Sequence, residues 1–307
     1  MKIDQLHPQL RKAYRWIPAI PFHSRIFLAL VKLLSLIPRR TKPVPGVTIV
    51  EHKLGTARVR LYRPEGEHAG AALLWIHGGG YIIGSPAMND KECARYAVEL
   101  NIAVVSVGYR LAPGYRFPCA IDDCFEAWQW LQDNAGVLGV CRDRIAISGQ
   151  SAGGGLAAAL AQRVYDHGGV QPVGQALIYP MIDDRTAAHK TLDAVGHKLW
   201  SNRNNRGAWS HYLGRAPGAS ALPPYAAPAR REDLAGLPPA WVGVGDIDLF
   251  YQENAVYAAR LNEAGVSCEL VVVPGAPHGF EVFAGDAPVS RDFMASNYRF
   301  LRRVLQL

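Results

Sequence analysis

Short apolar runs alternate with longer amphipathic segments over most of the chain. The runs, rich in Val and Ile, are 71–76, 102–107, 144–148, 176–179, 240–244 and 268–273, and the segments with helical spacing are 89–100, 120–134, 152–167, 250–264 and 290–305. Continuous apolar strands that alternate with helices are typical of a parallel sheet covered on both faces. The pattern therefore predicts an α/β fold whose ligand site lies at the carboxyl ends of the strands.

Two parts of the chain break this alternation. Residues 1–45 are predicted to form short helical pieces interrupted by prolines, and an antiparallel strand pair is predicted at 47–51 and 58–62. Residues 183–239 hold no clear strand, and a helix is predicted around 204–212. A segment this long inside a compact domain is more often functional than idle, so we interpret it as an insertion over the sheet edge.

Composition and charge narrow the class of protein. The 307 residues are 49% hydrophobic and 19% charged, which is globular composition. The net charge of +7 is unevenly spread: residues 1–60 hold twelve Lys and Arg against two acids, a net +10, and the rest of the chain carries −3. No nucleic-acid motif accompanies the basic end, and scattered charges of this kind are mostly solvated.

The cysteines and the apolar runs bear on location. Five cysteines without a CxxC pair predict reduced thiols in the cytoplasm, and neither a disulfide framework nor a zinc site. The most apolar N-terminal run, 27–37, is too short to span a bilayer, which needs ~20 residues. It also lies behind too many charges and prolines to resemble a secretory signal, so no transmembrane segment is expected.

The strongest motif for chemistry is Gly149-Gln150-Ser151-Ala152-Gly153, which joins the run 144–148 to an Ala-rich helix. Strand, turn and helix in this order are the context that a G-x-S-x-G nucleophile elbow requires. Such a turn projects the serine hydroxyl at the sheet edge, and larger side chains at the two glycine positions would collide. The motif predicts Ser151 as a nucleophile, and the absence of a GxxxxGKS/T pattern excludes a phosphate loop.

A second glycine motif, His77-Gly78-Gly79-Gly80, directly follows the run 71–76. Consecutive glycines permit positive φ and let backbone amides approach a ligand closely. We assign the amides of Gly79, Gly80 and Ala152 as donors to an oxyanion, and we interpret His77 and Gly78 as supports of the loop. One such donor typically lowers a barrier by ~2.7–4 kcal/mol.

A serine nucleophile needs a base, and His278 is the best placed of the ten histidines. It follows the run 268–273 in a loop rich in Pro and Gly, at the carboxyl end of a strand. The orienting acid is expected after the run 240–244, where Asp246 and Asp248 are both candidates. The residues alone leave the choice between the two open. With either one, the order serine, acid, histidine along the chain is that of α/β-hydrolases.

With these motifs in order, the chain resembles the hormone-sensitive-lipase-like carboxylesterases and lipases of the α/β-hydrolases. Further matches are Tyr109-Arg110-Leu111-Ala112-Pro113, Phe117-Pro118, Tyr179-Pro180-Met181, Asp248-Leu249-Phe250 and His278-Gly279-Phe280. The resemblance implies an α/β-hydrolase fold, with a mostly parallel central sheet flanked by helices and a helical cap. It also selects Asp248, 30 residues before His278, as the acid. Gln150 departs from the family pattern, which usually has an acid there, and so does Gly114-Tyr115, where a Glu-His pair is usual.

The resemblance also implies a domain organisation. The cap would consist of helices in residues 1–45 and an insertion at about 183–225 of the catalytic domain, which spans residues 46–307. Trp200, Trp209 and Tyr212 are candidates for lining an acyl or alcohol pocket, and packing within the cap is the equally weighted alternative. The basic N-terminal end would then lie beside the active-site mouth.

Together these features predict a serine carboxylesterase that acts on short to medium acyl chains through a Ser-His-Asp triad and a covalent acyl-enzyme. The expected partner is a small-molecule ester, no metal, organic cofactor or nucleic acid is expected, and a homodimer is left open. The same triad could cleave a lactone or an amide. A non-catalytic ligand-binding protein on this fold is a further alternative, which the retention of both Ser151 and His278 disfavours.

Overall fold

The computed structural model describes residues 2–15, 17, 20–24, 26–28, 31 and 44–307. Eight strands in this part of the chain form one sheet: β1 Val47–Lys53, β2 Arg58–Pro64, β3 Ala72–Ile76, β4 Ala103–Gly108, β5 Ile145–Gln150, β6 Gln175–Ile178, β7 Ala240–Gly245 and β8 Cys268–Val273. Their order is β1-β2-β4-β3-β5-β6-β7-β8, antiparallel from β1 to β4 and parallel from β4 to β8. Every predicted strand is confirmed, with bounds that shift by no more than two residues.

The helices that the pattern predicted are also present. The α-helices of the described residues are Arg11–Tyr14, Asp90–Leu100, Cys119–Leu138, Ala152–His167, Asp184–Ala188, Asn202–Leu213, Tyr251–Glu263, Phe280–Phe283 and Pro288–Leu305. The helix predicted to end at 134 continues to Leu138 because that side chain is buried and Gly136 is tolerated inside the helix. Gly139 ends the helix in the left-handed region, with φ of +70°.

Helices cover both faces of the sheet because successive strand residues point to opposite sides. Leu74 and Ile76 of β3 pack in one core with the helices Cys119–Leu138, Ala152–His167 and Tyr251–Glu263. Leu73 and Trp75 pack in a second core with the helices Asp90–Leu100 and Pro288–Leu305. Continuous apolar runs, rather than alternating ones, are what a sheet buried on both faces requires.

The stretch between β6 and β7 holds the helices Asp184–Ala188 and Asn202–Leu213 and no strand, as the sequence predicted. The N-terminal segment reaches this insertion: the His23 N–H donates to Asn204 Oδ1 at 3.1 Å, and Asn204 Nδ2 donates to the Ile20 carbonyl at 2.8 Å. The rest of the predicted N-terminal cap falls in part on residues 32–43, which lie outside the described residues. Over the described ranges, no helix combines the length and the apolar character that a bilayer crossing requires.

Candidate active site

Four parallel strands deliver the predicted site residues to one edge of the sheet. β3 leads into His77, β5 into Ser151, β7 into the loop of Asp246 and Asp248, and β8 into the loop of His278. Because neighbouring parallel strands end at the same edge, residues up to two hundred positions apart in the chain come together there.

The turn at Ser151 has a backbone conformation that few side chains adopt. Its φ is +57° and its ψ −120°, between the end of β5 and the helix Ala152–His167. A Cβ atom on Gly149 would lie 2.3 Å from the Gly153 carbonyl oxygen, and one on Gly153 would lie 2.0 Å from the Ile76 carbonyl oxygen. Both positions therefore require glycine, and the strained turn presents the Ser151 hydroxyl at the sheet edge.

Ser151, His278 and Asp248 lie in a line of hydrogen bonds. His278 Nε2 is 3.0 Å from Ser151 Oγ, and His278 Nδ1 is 2.8 Å from Asp248 Oδ2. The three residues are between 5% and 7% exposed, which keeps bulk water away from the line while leaving the serine accessible to a small ligand. The geometry allows His278 to take a proton from the serine while Asp248 fixes its Nδ1–H tautomer.

The two candidate acids hold different parts of the site. Asp248 contacts the His278 ring, and its other oxygen, Oδ1, accepts from the Phe250 N–H at 2.9 Å. Asp246 instead accepts from the Gly275 N–H at 2.6 Å, and thus ties down the loop that carries His278. In this structure the carboxylate that meets His278 belongs to Asp248, the residue that the resemblance selects.

Three aromatic residues that the sequence did not assign to the site surround His278. The rings of Tyr179 and Phe250 contact the imidazole edge-on, with centroids 4.5 Å and 5.2 Å away. The Tyr14 hydroxyl, from the N-terminal segment, donates to the His278 carbonyl at 2.7 Å. Tyr179 and Phe250 stood in the motifs that carried the resemblance, whereas no feature of the sequence around Tyr14 points to His278.

The glycine loop after β3 lies against the serine turn. A Cβ atom on Gly78 would lie 2.9 Å from the Gln150 carbonyl oxygen and 3.4 Å from Ser151 Cβ. Gly79 and Gly80 have φ of +115° and +60°, so both positions favour glycine. Among the described residues, neither of their amides donates a hydrogen bond to a carbonyl, which leaves both able to bind an anion. The first turn of the helix after Ser151 adds the Ala152 amide and a positive helix end.

His77 orders this loop from within the core. Its ring stacks on Tyr109 with centroids 4.2 Å apart, and Nδ1 is 2.7 Å from the Gly78 carbonyl oxygen. Burial lowers the pKa of His77 to about 4, so the ring is neutral at neutral pH. A neutral, buried imidazole that bonds the loop backbone fits the support role assigned to it from the sequence.

The three aromatic residues of the insertion are all buried, but they divide into two groups. Trp209 and Tyr212 pack on Tyr81, with ring centroids 5.3 Å and 4.1 Å away, inside the interface between insertion and sheet. Trp200 lies over the glycine loop, where a Cβ atom on Gly80 would come within 2.3 Å of its ring. Of the three, Trp200 is thus the one that meets the glycine loop.

A cleft of about 1130 Å³ opens beside Asp248. Its walls include Asp246, Leu249 and Glu253 from the region after β7 and His197 from the insertion. Burial lowers the pKa of His197, although the negative charge of the nearby Asp248 acts to raise it. None of the three predicted aromatic residues lines this cleft. In the described part of the chain, no cluster of three or more His, Cys, Asp or Glu residues is arranged to hold a metal ion.

Comparison with known proteins places the chain in a family. Residues 73–282 match a family model described as alpha/beta hydrolase fold. The chain is 35% identical to an ethyl acetate hydrolase of Pseudomonas putida, over 73% of this chain and 71% of that protein. It is 36% identical to the carboxylesterase NlhH of Mycobacterium tuberculosis, over 76% of this chain and 73% of that protein.

Solved structures agree with this assignment over nearly the whole length. A bacterial heroin esterase superposes with a TM-score of 0.89 at 34% identity, covering 99% of each chain. The esterase LipW from Mycobacterium marinum superposes with a TM-score of 0.87 at 31% identity, covering 98% of this chain and 96% of that one. The chain therefore belongs to the hormone-sensitive-lipase-like family of α/β-hydrolases and is a carboxylic ester hydrolase.

Proposed function

We propose that the chain hydrolyses carboxylic esters in two acyl-transfer steps, with Ser151 as nucleophile, His278 as base and Asp248 as the acid that orients it. The observation that carries the proposal is the line of hydrogen bonds from Ser151 Oγ through the His278 ring to Asp248, 3.0 Å and 2.8 Å long. A serine hydroxyl is a weak nucleophile until such a base accepts its proton.

The reaction consumes only the ester and one water molecule, and it returns Ser151 and His278 to their starting states. Ser151 Oγ forms a bond to the ester carbonyl carbon while its proton passes to His278 Nε2. The carbon–oxygen bond to the alcohol then breaks, and His278 returns the proton to the leaving alcohol. Water attacks the acyl-enzyme with His278 again as base, and the carboxylic acid leaves as Ser151 recovers its proton.

The oxyanion of each tetrahedral intermediate is bound by the amides of Gly79, Gly80 and Ala152. The positive φ angles of the two glycines and the start of the helix at Ala152 support this role. Donors that are already in place need no reorganisation during the reaction, which is why such an arrangement stabilises the transition state more than the ester.

The two parts of the predicted cap, in residues 1–45 and about 183–225, act together as a lid on the catalytic domain, residues 46–307. The hydrogen bonds between Ile20, His23 and Asn204 support this organisation, as does the contact of the Phe22 and Trp200 rings at 5.6 Å.

The five unpaired thiols support the cytoplasm as the location of the protein.

A fluorophosphonate probe tests the nucleophile directly. Such probes form a stable bond with a serine only where a base activates it, so we expect one adduct on the peptide that carries Ser151, with parallel loss of ester hydrolysis. Mass spectrometry of the digested protein locates the adduct, and the Ser151→Ala variant should take up none. An adduct on another residue, or hydrolysis that continues after full labelling, would contradict the assignment.

Acyl chains of short to medium length are the proposed substrates. Support comes from Trp200, which lies against Gly80 of the glycine loop, and from the Pseudomonas putida relative, which is named for ethyl acetate. We expect kcat/KM for p-nitrophenyl butyrate to exceed that for the palmitate by roughly 100-fold, because a long chain must displace the packed indole. Initial rates over a series of p-nitrophenyl esters measure this.

A pair of tryptophan variants separates the pocket from general packing. Trp200→Ala should shift the preference toward longer chains, whereas Trp130→Ala should leave it unchanged. Trp130 lies on the helix Cys119–Leu138 and packs against His52, away from the site. Equal rates on butyrate and palmitate in the parent protein would overturn the proposed acyl range.

A further inference from the structure

A buried carboxyl that the proposed hydrolysis does not use lies behind His278. Glu281 is 7% exposed, and its Oε1 accepts hydrogen bonds from the Tyr179 hydroxyl and, at 2.9 Å, from Gln150 Nε2. Its second oxygen, Oε2, is buried and has no hydrogen-bond partner in the part of the chain that the structure describes. Burying a carboxyl group is unfavourable unless its surroundings compensate, so its position here calls for an explanation.

The two donors connect Glu281 to both reacting residues. The Tyr179 ring packs edge-on against the imidazole of His278, and Gln150 immediately precedes Ser151 in the strained turn. Gln150 Nε2 also donates to the Tyr179 hydroxyl, so the three side chains form a closed triangle. A change in the charge or position of the Glu281 carboxyl therefore affects His278 through Tyr179. It affects the turn that carries Ser151 through Gln150.

We propose that Glu281 is a positioning residue of the ester hydrolysis, which holds Tyr179 against the His278 ring and Gln150 beside Ser151 and whose negative charge stabilises the His278 imidazolium. This inference rests on the proposed roles of Ser151 and His278. Glu281 touches neither the serine hydroxyl nor the imidazole through a hydrogen bond, so it acts on the reaction through its neighbours and its charge.

The charge of Glu281 changes near neutral pH. Burial raises the pKa of Glu281 to about 7, although the hydrogen bond from the Tyr179 hydroxyl acts to lower it. Below this pKa the carboxyl is neutral; above it, the carboxylate favours a protonated His278, as the transition state requires. The groups that interact with it electrostatically or by hydrogen bonds come from several elements: Gln150 and Tyr179 at the sheet edge, His278, Tyr14 of the N-terminal helix, and Glu92 and Tyr96 of the helix Asp90–Leu100.

Glu281→Gln tests the proposal because the amide keeps the shape and an acceptor oxygen but is neutral at every pH. We expect kcat for p-nitrophenyl butyrate to fall by about tenfold at pH values above about 8, with little change in KM. Below about pH 6 the parent carboxyl is itself protonated, so the two proteins should approach the same rate. The ratio of parent to variant kcat should thus rise as pH increases through about 7.

Controls separate this inference from the proposed function. Glu99→Gln makes the same chemical change at an exposed position and should leave the profile unchanged. Ser151→Ala should lower kcat by on the order of 10⁵- to 10⁶-fold whatever Glu281 does, so a failure there concerns the nucleophile alone. A parent-to-variant ratio that stays constant across the pH range would reduce Glu281 to a packing residue and overturn the proposal.

Tyr179→Phe provides a second variant should Glu281→Gln fail to fold, as a thermal melt would reveal. It keeps an aromatic ring at this position but removes the hydroxyl that lowers the Glu281 pKa. The inflection in kcat that belongs to Glu281 should therefore move to higher pH. An unchanged inflection in this folded variant would equally overturn the proposal.

Discussion

Replacing Ser151 by alanine is expected to lower kcat for p-nitrophenyl butyrate by on the order of 10⁵- to 10⁶-fold. The variant loses the Ser151 hydroxyl, whose oxygen lies 3.0 Å from His278 Nε2 and is the nucleophile of the proposed mechanism. What should remain is catalysis by the proposed oxyanion donors and by binding, which in serine hydrolases leaves a residual acceleration of roughly 10³- to 10⁴-fold over water. KM should change little, because the hydroxyl contributes mainly to the transition state.

Ser148→Ala is the matched control for this experiment. Ser148 lies three positions earlier on β5, and its buried hydroxyl donates to the Ala176 carbonyl at 2.7 Å rather than into the site. Its loss removes one hydrogen bond, which costs stability of about 1 kcal/mol and leaves the chemistry intact. Initial rates together with thermal melts of both variants distinguish a lost nucleophile from a destabilised fold. Activity of Ser151→Ala within tenfold of the parent would refute the assignment.

The site residues that were identified from the sequence share one property: each lies in or directly after a local sequence pattern. The glycines around Ser151 and the glycine run at 78–80 mark places where only glycine avoids a clash, and the structure shows the clashes at 2.0–2.9 Å. His278 follows a clear apolar strand and a turn of Pro and Gly. Strand ends are set by the same apolar pattern that builds the core, so the edge of the sheet was predictable before any contact was known.

The residues that sequence reasoning missed depend on contacts between distant parts of the chain. Tyr179 and Gln150 reach Glu281 across 102 and 131 positions, and Tyr14 reaches His278 across 264. No local spacing encodes such pairs. The same limit applies to Trp209 and Tyr212, for which pocket and packing were equally weighted: their position on Tyr81, which favours packing, is set by how the insertion folds back on the sheet.

The choice between Asp246 and Asp248 belongs to the same class, because both follow β7 and both carry a carboxylate. From the residues alone the two were equivalent, and the resemblance supplied the preference. The structure distinguishes them by partner: Asp248 meets His278 Nδ1 and Asp246 meets the Gly275 amide. A paired substitution turns this difference into a measurable one.

Asp248→Asn is expected to lower kcat/KM by about 10⁴-fold, whereas Asp246→Asn should lower it by less than about tenfold. Asp248 Oδ1 accepts from the Phe250 N–H, so an asparagine there keeps its oxygen on that amide and turns its NH₂ group toward His278 Nδ1. Facing a donor, Nδ1 must act as an acceptor, and the ring proton moves to Nε2, the atom that should take the proton of Ser151.

At position 246 the same substitution is nearly silent, because an amide oxygen accepts from the Gly275 N–H as a carboxylate oxygen does. Steady-state kinetics of both variants on p-nitrophenyl butyrate, with melts to verify folding, decide the assignment. A larger loss in Asp246→Asn than in Asp248→Asn would move the role of orienting acid to Asp246. Both variants keep the shape of the side chain and remove one negative charge near the same loop. A loss confined to Asp248→Asn would therefore be attributed to the changed tautomer of His278.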